Sequence, residues 1–173
     1  LRGRTALLMR PVTVREVRVH VALGEVVLLL ACDELDVVLP VTIGPREGAA
    51  IASVLAGVVA PRPMTHDLTL TLLGAAGEQL DHIEIVGLRG GVFFAEVVLT
   101  GGARVDARTS DAVALALRAD VPVLCDDDIL ARAGQPDDDD DADRPVTSSD
   151  SELAQFRAFL ESVEPEDFDD ADS

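Results

Sequence analysis

Two segments of this chain share a strand-to-helix pattern, and this similarity constrains the fold more than any other feature. Residues 41–55 read VTIGPREGAAIASVL, and residues 105–119 read VDARTSDAVALALRA. Pro45 suits a first helical turn, because its missing N–H costs nothing there. Glu47 and Asp111 hold equivalent first-turn positions, where the helix dipole favours a carboxylate. The pattern predicts a duplicated unit of three strands followed by a helix.

The remaining strands and helices follow from periodicity and turn residues. Period-two alternation over residues 12–23 predicts a first strand, with a bulge at Arg15–Glu16 where the alternation slips. Thr65 is expected to cap the second helix, and Asp126 a short last one. Further strands are predicted at 26–32, 37–43, 79–86, 92–99, 103–108 and 121–125, and helices from 45 to near 57, 65 to about 74, 109–119 and 127–133. Hairpin-length turns join most strands, which predicts an α+β single domain with a mixed or antiparallel sheet.

The domain organisation is predicted from shifts in composition. Residues 1–11 are expected to be an N-terminal extension, and residues 12–134 the folded domain. Residues 135–151 are polar, charged and Pro-containing, which is typical of a disordered acidic linker. Residues 152–163 predict a short amphipathic helix that could dock on the domain or contact a protein partner. Residues 164–173 form an acidic tail.

The formal net charge of −18 is concentrated in the tail. Residues 1–134 carry 12 Arg against 17 Asp plus Glu, a net of −5, and residues 135–173 carry 2 Arg against 15 acids, a net of −13. A mildly acidic domain lacks the basic footprint of a tight nucleic-acid binder. The charge therefore argues against strong, general affinity for DNA.

The two cysteines and the apolar runs bear on location. Cys32 and Cys125 each lie in an apolar run, which predicts buried free thiols. No apolar run approaches the length of a membrane span. Residues 5–9 are too short for the apolar region of a signal peptide, so the sequence predicts a cytoplasmic protein.

Three predicted helix starts carry similar polar side chains: Arg46 and Glu47 in the first, Arg62, His66 and Asp67 at the second, and Arg108, Ser110 and Asp111 at the third. Helix N-termini favour anions, and arginine adds bidentate phosphate contacts. If the starts converge, the arginines with Ser110 would bind a phosphate. The carboxylates of Glu47, Asp67 and Asp111 would act in catalysis or hold a divalent metal such as Mg or Mn, and His66 would be the general acid or base. The alternative is that these residues only cap helices and form ion pairs.

Three segments, LPVTIGPREGAAIASVLAG, PRPMTHDL and VDARTSDAVALALRADVPV, occur in this order at ordinary spacing. Together they resemble the bifunctional nuclease domain family over about residues 12–134. The segment FRAFLESVEPEDF at 156–168 is similar to the tails of actinobacterial members. The resemblance implies a compact, dimer-forming α+β domain that cleaves DNA, RNA or both. It brings no agreed set of catalytic residues.

The chain also departs from the family pattern. Thr42 stands where an aromatic residue is common, Gly87 and Gly90 stand where acids are common, and Thr109 replaces a usual proline. If those acids bind metal in active members, the resemblance implies low intrinsic activity here. Two hypotheses follow. The first is a divalent-metal-dependent nuclease of low activity, and the second is a non-catalytic dimeric module that binds an anion or a protein partner.

Overall fold

The computed structural model describes residues 8–20 and 24–137, which form an eight-stranded sheet and four helices. The strands are β1 (Met9–His20), β2 (Glu25–Cys32), β3 (Val37–Ile43), β4 (Leu80–Arg89), β5 (Val92–Leu99), β6 (Arg104–Arg108), β7 (Val123–Asp126) and β8 (Gln135–Pro136). The helices are α1 (Pro45–Leu55), α2 (Thr65–Ala75), α3 (Thr109–Ala119) and α4 (Asp127–Ala133). The predicted α+β class is confirmed.

The sheet is mixed, with strand order β6-β5-β4-β7-β1-β2-β3-β8. Strands β4 and β7 are parallel, and the other neighbouring strands are antiparallel. The first half of the domain is the meander β1–β3 followed by α1, and the second half is the meander β4–β6 followed by α3. Strand β7 lies between the halves and pairs with β4 and β1. This layout matches the predicted duplication.

The core is built from aliphatic side chains, because the chain has no Trp or Tyr. Helix α1 packs on β1 and β2, α3 packs on β4 to β6, and α4 packs on β3, β4 and β7. Each large apolar side chain that is fully buried contributes about 1.5–3 kcal/mol relative to exposure. The largest buried side chains include Leu28, Leu30, Leu39, Ile51, Ile83, Ile85, Val113, Ile129 and Leu130. The pairing register of β1 with β2 shifts between Val14 and Glu16, where a bulge was predicted.

The domain extends beyond the predicted boundaries at both ends. Met9 and Pro11, predicted to lie in an extension, pair with Asp126 and Leu124 of β7. At the other end, Gln135–Pro136 pairs with the edge of β3, so the predicted linker begins too early. Both errors arise because pairing with a strand far along the chain determines where β1 begins and where β8 forms. Residues 138–151, the predicted helix at 152–163 and the acidic tail at 164–173 lie outside the described residues.

The prediction that Thr65 caps α2 is wrong. Met64 holds the N-cap position, and its N–H donates to the Asp67 carboxylate at 2.8 Å.

Cys32 and Cys125 are buried free thiols, as predicted. Burial raises the pKa of Cys125 to about 12, so this thiol stays protonated at neutral pH and is a poor nucleophile. Within the described ranges, no helix combines the length and the apolar character needed to cross a bilayer.

Candidate functional site

The first turns of α1, α2 and α3 meet around the side chain of Arg108. Its Nη1 lies 2.9 Å from Glu47 Oε1, and its Nε donates to Asp111 Oδ2 at 2.7 Å. The other oxygen of Asp111 lies 3.3 Å from His66 Nε2. We call Glu47, His66, Arg108 and Asp111 the helix-start cluster. The structure thus brings together predicted site residues from all three helix starts. Glu47 comes from the first, His66 from the second, and Arg108 and Asp111 from the third.

Local sequence positions the Glu47 carboxylate. Gly44 is the N-cap of α1, and a Cβ atom there would overlap that carboxylate. Glycine therefore leaves the space through which Glu47 reaches Arg108. Pro45 occupies the first helical position, as predicted, and needs no hydrogen-bond partner for its nitrogen.

The helix-start cluster is poorly suited to stabilise the fold. Arg108 is 68% exposed, and ion pairs of such exposed side chains are screened by solvent and add little to stability. Hydrogen bonding to Asp111 raises the pKa of Arg108, so the guanidinium remains charged. The cluster holds two carboxylates and one guanidinium, which gives a net charge of −1 when His66 is neutral. A phosphate must therefore compete with two carboxylates for Arg108.

Asp67 points away from the helix-start cluster. Its Oδ2 accepts from the Met64 N–H, and its Oδ1 accepts from Arg118 Nε at 2.9 Å. Both carboxylate oxygens are thus engaged in capping α2 and in an ion pair. For Asp67 the geometry favours the structural alternative over a catalytic or metal-binding role.

Arg118 connects all three helices, and the sequence analysis missed it. Its side chain is only 8% exposed. Besides Asp67 in α2, it donates to the carbonyl of Ala114 in α3 at 3.0 Å and of Ala50 in α1 at 3.1 Å. A signal was present, because Arg118 follows Asp111 by seven residues and so lies on the same face of α3. A cation on that face of an otherwise apolar segment indicates a buried partner.

The other predicted substrate-binding residues lie outside the helix-start cluster. Arg46 and Arg62 are exposed and form no ion pair with any residue of the described ranges. Ser110 is buried in the first turn of α3, which leaves little room for direct substrate contact. Its neighbour Thr109 has a buried hydroxyl with no hydrogen-bond partner in the part of the chain described.

The predicted metal ligands do not form a metal site in this arrangement. Across residues 8–20 and 24–137, no three His, Cys, Asp or Glu side chains are grouped so that they could hold an ion. Glu47 and Asp111 pair with Arg108, and Asp67 pairs with Arg118. The side chains present therefore do not fit the predicted Mg or Mn site.

A second charged network covers one face of β4, β5 and β6. Arg104 binds Glu84, and its Nε lies 2.6 Å from Glu96. His82 lies 2.6 Å from Asp81 and 3.0 Å from Glu84. Partial burial lowers the pKa of His82, but the hydrogen bonds to Glu84 and Asp81 outweigh it and hold that pKa above its ordinary value. We call Asp81, His82, Glu84, Glu96 and Arg104 the sheet network. Its charged groups pair with one another, which is typical of residues that stabilise the fold.

The chain is similar in sequence to a known protein family and to two known proteins. A family model described as "Bifunctional nuclease domain" matches residues 27–138, which include α1, α2 and α3. Two proteins of Mycobacterium tuberculosis, from strains CDC 1551 and H37Rv, are each 41% identical to this chain over 162 residues. The match covers 92% of this chain and 98% of each relative, and both relatives are described as uncharacterized.

Proposed function

This chain belongs to the bifunctional nuclease domain family, and we propose that it cleaves phosphodiester bonds of single-stranded DNA, RNA or both, with low intrinsic activity. The observation that carries this proposal is the helix-start cluster. It places a histidine on a carboxylate, beside an exposed guanidinium, where three helices begin. These are the groups needed to transfer a proton and to bind a phosphate.

In this proposal His66 acts as the general base. Its Nε2 faces Asp111, which orients the ring, and its Nδ1 forms no hydrogen bond with any described residue. A water molecule gives a proton to Nδ1 while its oxygen bonds to phosphorus. The bond from phosphorus to the leaving sugar oxygen then breaks, and that oxygen takes a proton from the imidazolium. A positioned base of this kind accelerates hydrolysis by about 10²–10⁴-fold.

Arg108 is the proposed contact for the non-bridging phosphate oxygens, and Glu47 is a positioning residue that holds Arg108 in place. Because Arg108 already pairs with two carboxylates, each substrate must displace part of that pairing. The proposed cleavage is therefore expected to be slow. Arg46 and Arg62, which have no ion pair in the described ranges, are proposed to contact neighbouring phosphates.

The test is cleavage of fluorescent single-stranded RNA and DNA of matched sequence. We expect His66→Gln to lower the rate by about 10²-fold or more. Asp111→Asn and Glu47→Gln should give smaller losses, because both residues act through a neighbour. Asp128→Asn is the matched control, since it changes a first-turn helix carboxylate outside the cluster and should leave the rate unchanged. Equal cleavage by all four variants would identify a contaminating nuclease and refute the proposal.

The same assay decides the metal question. The sequence predicts dependence on a divalent ion, whereas the described side chains offer no set of three ligands. We therefore expect cleavage to persist in EDTA and to change little when Mg²⁺ or Mn²⁺ is added. Complete loss of cleavage in EDTA with recovery in Mn²⁺ would contradict the metal-free mechanism.

A second candidate function is a non-catalytic dimeric module, and the surface of α2 favours it. None of the residues of α2 is fully buried, and Leu68 and Leu72 are both exposed. Apolar patches of this kind mark protein interaction sites. We propose that this face binds a second copy of the chain, so that the protein is dimeric in sedimentation and Leu68→Glu is monomeric. A wild-type protein that sediments as a monomer would refute the proposed dimer.

The proposed setting for either function is the cytoplasm. Cys32 and Cys125 are unpaired, and reducing compartments keep such thiols reduced.

A further inference from the structure

A cleft of about 490 Å³ lies beside the start of α2, distinct from the helix-start cluster. It is formed by the end of α1, the connection at residues 56–64 and the first turns of α2. Its volume falls within the range of roughly 300–1,000 Å³ that is typical of small-molecule sites. The apolar part of the wall includes Val58, Val59, Pro61, Pro63 and Met64.

Among the described residues, the polar side chains that line the cleft form hydrogen bonds or ion pairs within the protein, and Arg62 is the exception. Asp67 and Arg118 form an ion pair at 2.9 Å. The hydroxyl groups of Ser53 and Thr71 each donate to a backbone carbonyl at 2.9 Å. Arg62 also lines the cleft, is exposed, and pairs with no residue of the described ranges. The cleft is therefore apolar with one uncompensated positive charge.

This combination is complementary to a ligand that has a largely apolar body and a single anionic group. We propose that the cleft binds one nucleotide of the substrate, with the base against the apolar wall and a phosphate on Arg62. The choice of a nucleotide over other apolar anions rests on the proposed nuclease function. Location supports it, because Met64 and Asp67 line the cleft and flank His66 in the first turn of α2.

Two consequences for the substrate follow. A base inside a duplex is paired and stacked, so only an unpaired base can enter the cleft, and single strands are selected. Few polar side chains are left to distinguish one base from another, because those of the wall other than Arg62 are already bonded within the described part of the protein. Among the described residues, none that lines the cleft is aromatic, so stacking adds little and the affinity for one nucleotide is low.

The test measures binding without turnover. Wild-type protein is titrated with adenosine 5′-monophosphate, ribose 5-phosphate and adenosine, and backbone amide shifts are followed by NMR. We expect the monophosphate to bind at least tenfold more tightly than either fragment and to shift residues 57–64. Arg62→Ala should weaken its binding about tenfold, and Val58→Asp should weaken it further by placing a carboxylate on the apolar wall. Val58 is 58% exposed, so this variant is expected to fold.

Arg132→Ala is the control, because Arg132 is an exposed cation on α4 that does not line the cleft. Equal affinities for the monophosphate and ribose 5-phosphate would overturn the base contact. Unchanged binding by Arg62→Ala, or no binding at millimolar concentration, would overturn the site. Binding without cleavage of any oligonucleotide would keep the cleft and refute the nuclease, whereas cleavage without binding would do the reverse.

Discussion

In the first half of the domain β3 enters α1 through Gly44 and Pro45, whereas in the second half β6 enters α3 through Arg108 and Thr109. Helix α1 buries three residues: Gly48, Ala50 and Ile51. Helix α3 buries seven of the eight residues from Thr109 to Ala116, all except Asp111, because it lies in contact with both α1 and α2. Similar junctions thus lead to a peripheral helix in one half and to a central helix in the other.

The same comparison explains the helix-start cluster. Glu47 and Asp111 hold equivalent positions, and both bind Arg108. Arg108 itself occupies the position that Gly44 holds in the first half. Gly44 leaves room for the Glu47 carboxylate, whereas Arg108 pairs with the carboxylates of both Glu47 and Asp111. One change of residue type therefore makes the second junction the centre of the site.

The largest difference between the helices is Arg118, whose counterpart in α1 is Val54. Replacing Arg118 by Met should lower the free energy of unfolding by about 2–4 kcal/mol, because three hydrogen bonds of a buried cation are lost. Urea denaturation measures this loss. Arg132→Met is the matched control, since Arg132 also ends a helix and donates to the carbonyl four residues earlier. A comparable loss in both variants would mean that the contacts of Arg118 across α1 and α2 contribute nothing.

The second difference is Gly48, whose counterpart is Ala112. An added Cβ at Gly48 would lie 2.7 Å from Val26 Cγ1, so Gly48→Ala should destabilise the protein by about 1–3 kcal/mol through overpacking. Gly74 in α2 faces open space, and Gly74→Ala should stabilise by about 0.5–1 kcal/mol. Thermal unfolding of both variants shows whether each substitution stabilises or destabilises the protein. If Gly48→Ala also stabilises, α1 is not packed as closely as described.

A third prediction makes the second junction resemble the first. Thr109 has a buried hydroxyl without a described partner, and Pro45 stands at the equivalent position. Arg108 has ψ 140, which is compatible with a following proline. Thr109→Pro should therefore raise the free energy of unfolding by about 1 kcal/mol. The reverse exchange, Pro45→Thr, should lower it by a similar amount. A lower melting temperature for Thr109→Pro would indicate an unrecognised role for the hydroxyl.

The smallest expected effect concerns the sheet network, which only the second half carries. The folded-state pKa of His82 is raised above its ordinary value of 6.5. The stability it contributes is therefore complete below about pH 6.5 and is lost as the pH rises through the folded-state pKa. The pKa of Glu84 is lowered, so its own contribution disappears only under acidic conditions. Arg104 keeps its charge throughout this range, because its hydrogen bonds to Glu84 and Glu96 raise its pKa.

Unfolding of wild type and His82→Gln should be compared between about pH 6 and pH 9. The stability advantage of the wild type should shrink as the pH rises. Parallel curves over this range would show that His82 and its carboxylate neighbours do not stabilise the folded state.

The sequence predicts much of this comparison and misses specific parts of it. The bounds of α3 follow from local pattern, because the Ala-rich segment and its first-turn acid need no distant partner. Strand pairing at Met9 and Gln135, in contrast, depends on residues more than 90 positions away. The three helix starts are recognisable by their residue types, but their convergence is set by long-range packing. The bond from Arg118 to the Ala50 carbonyl, 68 residues away, leaves only the weak signal of a cation on an apolar helix.

Chemical rescue tests whether His66 transfers the proton within the helix-start cluster. The His66 side chain is 15% exposed, so its removal leaves a space near the surface. We predict that His66→Ala cleaves single-stranded oligonucleotides about 10²-fold more slowly than wild type, and that added imidazole restores part of the rate. Imidazole should not accelerate the wild type. A His66→Ala protein that cleaves at the wild-type rate, or one that imidazole does not rescue, would show that His66 is not the proton-transfer group.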